Sequence, residues 1–238
     1  QTNATFAGQV HLTGGMRLER DESGIGNGRW AFLPMLGAAW SRQINTLTVK
    51  LRSAYGKGIR WPEIPARETL WEGLRSSASN LEPEEQSGVE AGIDLYVRNQ
   101  FAFQVTRFDQ VASGLIQRVA IAHDTGATPV AVTERIRYEL QNVGEITNRG
   151  GELQASFRQS GWRLAGTFTQ VNSRVRKLAN AYTGDLRPGD RMLEVPERTV
   201  GFTAGWTGSR WQASLTASRA MDWVNYDRVA LAKAFATT

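Results

Sequence analysis

The strongest constraint on this chain is a period-two alternation of apolar and polar residues, sustained over several long segments. Between Val10 and Arg20, Val10, Leu12, Met16 and Leu18 share one face, while His11, Thr13, Arg17 and Glu19 take the other. Leu47, Val49, Leu51 and Tyr55 oppose Thr48, Lys50 and Arg52. Val89, Ala91, Ile93, Leu95 and Val97 oppose Glu90, Asp94 and Tyr96. Val200, Phe202, Ala204 and Trp206 repeat the pattern, as do Trp211, Ala213, Leu215 and Ala217. Strict alternation puts the two sets on opposite faces of an extended strand, so each strand meets two different media. Helical spacing is nowhere comparably sustained, and no stretch approaches the roughly 18 apolar residues of a transmembrane helix. The chain is expected to be all-β.

The 41% hydrophobic content does not argue against a membrane protein of this kind, because only alternate residues of a barrel strand meet lipid. The 28 Lys and Arg are scattered among 23 Asp and Glu, with no long run of one sign, so no nucleic-acid partner is expected. With no Cys and only His11 and His123, neither thiolate chemistry nor a zinc site is expected. No catalytic constellation emerges, and the chain is read as a non-enzyme without a cofactor. His11 falls on the polar face of a strand, and His123 lies in HDTG within a long loop, where one D-T-G copy reads as chance. Gln1 to Gln9 lacks the charged start and apolar core of a signal peptide, and the chain enters a strand pattern almost at once.

The connections are of two kinds. Short ones fall near Arg42–Asn45, Arg98–Gln100, Gln159–Gly161 and Thr207–Arg210; long ones near Asp21–Gly28, Gly58–Glu85, Val119–Glu134 and Arg176–Glu194. Outer-membrane barrels alternate short periplasmic turns with long outer loops. The two kinds alternate here if Arg135 to Gln159 is one strand, giving nine strands in all. Apolar residues sit on even positions in Ile136, Tyr138 and Leu140 but on odd ones in Leu153, Ala155 and Phe157, so that strand needs a phase change. A β-bulge at Gly144, Gly150 or Gly151 would supply it. At about 3.3 Å per residue such a strand outreaches a hydrocarbon layer about 25 Å tall, and its Arg- and Asn-rich half would project outside.

A soluble β-sandwich also alternates, with its apolar faces forming a core. Against it stand strands of about 13 to 18 residues, where soluble strands have about 5 to 6. Aromatics also gather near strand ends (Trp30, Trp40, Tyr55, Trp61, Trp162, Trp206, Trp211, Trp223), which suits interfacial girdles. Arg17, Glu19, Lys50, Arg52, Glu90, Asp94, Glu152 and Arg158 mix both signs mid-strand and could pair across a wet or plugged lumen. The expected fold is an antiparallel transmembrane β-barrel of long meandering strands. A passive porin-like or smaller barrel, and a β-sandwich used for adhesion, are the alternatives.

Several motifs sharpen this. SNLEPEEQSGVEAGIDLY (Ser79 to Tyr96) resembles the TonB-dependent outer-membrane receptors in their "N-x-L-x-P-E-…-E-x-G" entry into a strand. QNVGEITNRGGELQAS (Gln141 to Ser156) is similar to their "N-x-G-x-…-R-G-x-E-L" strand. AYGKGIRWPEIP (Ala54 to Pro65), GGMRLERDE and MLEVPERTVGFTAGW fit the same pattern, so the resemblance spans nearly the whole chain. It implies a closed barrel of about 22 strands filled by an N-terminal plug. It also implies bacterial outer-membrane location, contact with outer-membrane lipid, and energised uptake of a siderophore-, cobalamin- or oligosaccharide-like ligand. The energy would come from the TonB–ExbB–ExbD complex acting through the plug. No plug pattern occurs, so residues 1–238 are expected to be a single barrel-wall segment from the C-terminal half.

Ligand contacts are expected on long loops. Arg60, Trp61 and Trp71 in the Gly58–Glu85 loop combine a cation with aromatic faces, suited to an anionic, ring-bearing ligand. Arg187, Asp190 and Arg191 add charge to the same rim from the Arg176–Glu194 loop. The plainer reading of each is an ordinary solvated loop residue, as it is for the Glu84-Glu85 pair at a loop-to-strand entry.

Overall fold

The computed structural model describes residues 1–21, 28–62, 81–122 and 136–225. Every regular element among them is a strand: β1 (Thr2–Phe6), β2 (Val10–Arg20), β3 (Trp30–Ile44), β4 (Leu47–Arg60), β5 (Glu84–Val97), β6 (Phe101–Ser113), β7 (Ile116–Ala122), β8 (Ile136–Asn142), β9 (Gly144–Gln159), β10 (Trp162–Leu178), β11 (Arg198–Thr207) and β12 (Gln212–Met221). Ten of them form one antiparallel sheet in the order β1-β2-β3-β4-β5-β6-β9-β10-β11-β12, and β7 and β8 pair separately. Sequence neighbours are spatial neighbours throughout the large sheet, apart from the β7–β8 excursion. This is a meander of the barrel-wall kind, with no second sheet packed against it among the described residues, so the sandwich alternative does not describe it.

Two expectations on strand count need correction. The sheet has ten strands rather than nine, because Thr2–Phe6 pairs with β2 through Thr5↔His11 and Phe6↔Val10. This segment is too short and polar to show a clear alternation. The stretch expected as one strand is also two over its described residues, Ile136 to Gln159: β8 and β9 part at Val143, and the phase change falls there rather than at Gly150 or Gly151. Gly144 takes φ +124, a conformation that favours glycine, and a Cβ on it would strike the Lys177 carbonyl. The partner strand breaks at the same height, with Gly114 (φ +69) between β6 and β7. The Gly114 N–H donates to the Gly144 carbonyl at 2.8 Å, and the Val143 N–H to Leu115 at 2.7 Å. The hairpin therefore bends as a pair, and the alternation of short turns and long loops survives.

The alternation is visible in exposure. Leu18, Phe32, Leu36, Leu51, Ile93, Val105, Leu153, Phe168, Phe202 and Leu215 stand exposed on one face. Cross-strand register stacks them, as in Leu51↔Ile93, Ile93↔Val105 and Val105↔Leu153. Aromatics collect at both ends of this apolar face. At the short-turn end Trp162 and Trp206 lie 6.5 Å apart, and Phe101 and Phe157 4.7 Å apart. At the long-loop end stand Trp30 and Tyr55.

The opposite face is polar except near the long loops. There Val143, Ile146 and Val175 are buried with Leu186 and Met192 from the connection between β10 and β11. That connection folds back along β10, with the Met192 N–H donating to Ser173 at 3.1 Å and the Gly189 N–H to Val175 at 2.7 Å. Ile146 and Val175 face each other across the β9–β10 ladder, on the side that carries polar residues lower down. The 179–197 segment thus covers the upper edge of the polar face instead of standing clear of it.

Candidate functional site

Mid-height on the polar face, β4, β5 and β6 build a charged cluster. Asp94 is 2% exposed and accepts from the Arg52 guanidinium at 3.1 Å, with the Lys50 ammonium at 4.0 Å. Arg52 also reaches Glu90 at 3.6 Å and donates to the Thr106 hydroxyl. Gly92 makes the arrangement possible: a Cβ there would lie 2.8 Å from both the Arg52 Cζ and the Val105 carbonyl oxygen. Beside it Gln104 donates to the Tyr96 hydroxyl at 3.0 Å. Opposite charges pair across strands, as the alternation predicts.

Above this cluster a clamp joins two of the motifs. The Asn142 carboxamide accepts the Glu82 N–H at 2.9 Å and returns a donor to the Glu82 carbonyl at 2.9 Å. The same amide donates to the Gly114 carbonyl at 2.5 Å. Glu84 accepts the Ile116 N–H at 2.8 Å and pairs with Arg60 at 3.4 Å. A Cβ on Gly114 would run into the Pro83 carbonyl. The E-P-E stretch is therefore strapped to the bend of the β6–β9 hairpin. Glu84 and Glu85 are not simply solvated: Glu84 is mostly buried, and Glu85 pairs with Lys57 at 2.8 Å. Composition gives no hint of this, because the partners come from residues 60 and 32 positions away in sequence and meet only through sheet register.

A second set of bonds ties the β7–β8 hairpin to the 179–197 segment. Gln141 accepts the Thr183 N–H at 2.9 Å, and the Tyr182 hydroxyl donates to Gln117 at 3.2 Å. Burial pushes the Tyr182 phenol above its usual value; the nearby Asp185 charge adds to this, and a hydrogen bond with the Leu186 backbone opposes it.

The six residues singled out from sequence do not form one cluster. Arg60 ends β4 on the polar side, exposed and paired with Glu84. Trp61 lines a groove on the opposite, apolar side with Phe32 and Pro34. Trp71 lies outside the described residues. Arg187 and Asp190 close a turn, the Arg187 N–H donating to the Asp190 carboxylate at 2.7 Å, and the Arg187 guanidinium makes no ion pair among the described residues. Arg191 pairs with Glu197 at 2.8 Å beside Arg174, on the face of β10 that carries Phe168. Three strands separate Arg60 from the Arg187 turn, and both stand at the long-loop end. The geometry offers binding surfaces, charged and hydrogen-bonding, at one end of a wall.

Known structures share this wall. The siderophore receptor PirA from Acinetobacter baumannii superposes with a TM-score of 0.61 at 14% identity, over 92% of this chain and 32% of that one. The copper transporter OprC gives 0.58 at 15% identity, over 89% and 32%. The FrpB iron transporter from Neisseria meningitidis (F3-3 variant) gives 0.56 at 17%, over 90% and 31%. The chain spans about a third of the length of these structures. No curated protein sequence matches it. The family model described as "TonB dependent receptor-like, beta-barrel" matches residues 1–237. The chain therefore belongs to the TonB-dependent receptor β-barrel family.

Proposed function

We propose that this chain is barrel wall of a bacterial outer-membrane receptor that takes up a scarce metal chelate of the siderophore type. The apolar face would meet lipid and the polar face the lumen. A plug, coupled to the TonB–ExbB–ExbD complex, would sit against the Lys50–Arg52–Asp94 cluster. The observation that carries the reading is the family match over residues 1–237, on a wall whose two faces differ as lipid and water demand. The structural neighbours support the ligand class, being described as siderophore, iron and copper receptors or transporters. Arg60, Arg187 and Asp190, with Trp71, are the loop-end residues proposed to meet an anionic ligand, whereas Trp61 and Arg191 lie toward the other face.

The test is uptake of radio-iron as ferric siderophore by cells carrying or lacking the full-length receptor. Receptor-dependent accumulation that stops when a protonophore collapses the inner-membrane gradient is the expected result. Steady ion conductance of the purified receptor in a planar bilayer, with no energy-dependent uptake of any chelate, would overturn it in favour of a passive channel.

A further inference from the structure

The ladder between β3 and β4 ends early. It runs from Ile44↔Leu47 up to Met35↔Gly56, although β3 continues to Trp30 and β4 to Arg60. On their outer sides both strands stay paired to the top, β3 with β2 through Arg20↔Trp30 and β4 with β5 through Arg60↔Glu84. The next residue up β3 from Met35 is Pro34, which has no amide hydrogen to continue a ladder. The two strands therefore fork, leaving a groove of about 640 Å³ at the long-loop end.

The groove opens on the apolar face. Trp30, Phe32, Ile59 and Trp61 supply its apolar surface, and Arg29 and Lys57 its cations. Arg29 is exposed and makes no ion pair among the described residues, while Lys57 shares Glu85 at 2.8 Å. A third cation, Arg20, lies 5.9 Å over the Trp30 ring. The Trp61 indole N–H is buried with no acceptor among the described residues, and buried donors are normally satisfied. Below the fork the same face continues as exposed Leu36, Leu51 and Tyr55.

We propose that this fork holds the headgroup of a phosphorylated lipid, with its acyl chains lying down the wall over Leu36 and Leu51. The inference rests on the membrane reading given above. Two cations, Arg29 and Lys57, line the groove against one carboxylate, Glu85, and Arg20 stands over Trp30 at its edge, a balance that favours an anion. Arginine and lysine both suit phosphate, and indole and cationic side chains belong at headgroup depth. A free soluble anion would leave the adjoining apolar wall unused, which is why a lipid is the occupant argued for.

The test uses the full-length receptor in detergent micelles, titrated with dioctanoyl phosphatidic acid, dioctanoyl phosphatidylcholine or inorganic phosphate while tryptophan fluorescence is followed. Saturable binding of the phosphatidic acid alone is expected. Arg20→Gln with Arg29→Gln should weaken it at least about tenfold, the scale of one lost charge-assisted contact. Glu85→Gln should tighten it, since the groove loses its carboxylate. Arg42→Gln, on the same strand at the opposite end, should leave it unchanged. A misfolded variant lowers binding in every case, so the opposed signs separate charge from damage. Equal binding of phosphatidylcholine, saturation by inorganic phosphate alone, or indifference to the Arg20/Arg29 pair would overturn the inference. A receptor that transports normally but shows no lipid binding defeats this inference alone. A full-length chain that fractionates as a soluble protein defeats the membrane reading with it.

Discussion

Asp94 and Gly92 show how single residues set the character of the polar face. A carboxylate this buried is tolerable only because Arg52 lies across it, and Arg52 can lie there only because residue 92 has no Cβ. Removing one partner of a buried pair leaves the other charge poorly solvated, whereas removing both does not. Asp94→Ala in the full-length receptor should therefore cost about 2 kcal/mol, below the usual range for buried pairs because Arg52 remains a quarter exposed. The double variant Asp94→Ala with Arg52→Met should recover most of that loss. Urea unfolding in micelles reads both values and that of Arg52→Met alone. If the two single losses simply add in the double variant, Arg52 and Asp94 are not coupled and the account of Gly92 falls with them.

At the scale of elements, what was legible in the sequence and what was not divide along a physical line. Long strands and their two faces could be read directly, because alternation is local: Leu51, Ile93 and Val105 declare their side without reference to their partners. Turn parity could be read for the same reason. The split at Val143 could not be placed, since the parity flip between Leu140 and Leu153 says that a phase change exists but not where, and three glycines were eligible. Gly150 turns out to seat the Phe108 ring in regular register. The site was less legible still. Arg60 and Trp61 are adjacent in sequence, which in a strand means opposite faces, so reading them as one patch went against the same period that gave the fold. Asn142 gave no signal, because its partners Glu82 and Gly114 are remote in sequence. Its role yields a test at this scale. Asn142→Ala removes the two hydrogen bonds that bind Glu82 to the hairpin bend, together with the Asn142–Gly114 bond inside the bend. Amide exchange at Glu82 should accelerate by about tenfold or more, with β4 and β5 below Gly88 unchanged. Unaltered exchange at Glu82 would mean that Pro83 packing on Gly114 holds the strap without the amide.

For the whole molecule, the question is which medium each face meets. Among the described residues the sheet has two edges without a partner strand, β1 and β12, and an apolar face with a long row of exposed side chains. In water that face would be an aggregation surface, and in lipid open edges would be untenable, so the membrane reading requires partner strands at both edges. A soluble core and a bilayer both punish a charge on the apolar face, but only a bilayer makes the penalty depend on depth. Position 105 lies mid-wall, flanked across the ladders by Ile93 and Leu153, whereas Val111 lies near the loop end, opposite Thr147. Val105→Lys in the full-length receptor should cost about 2–4 kcal/mol, and Val111→Lys about 0–1 kcal/mol, when folding is measured in vesicles. Gln104→Lys, next along the strand but on the polar face, should lose little beyond its hydrogen bond with Tyr96, about 1 kcal/mol. Thinner lipid should shrink the Val105 penalty by bringing that position closer to the headgroups. A penalty at Val105 that ignores lipid thickness and matches that at Val111 would mean that protein, not hydrocarbon, covers this face.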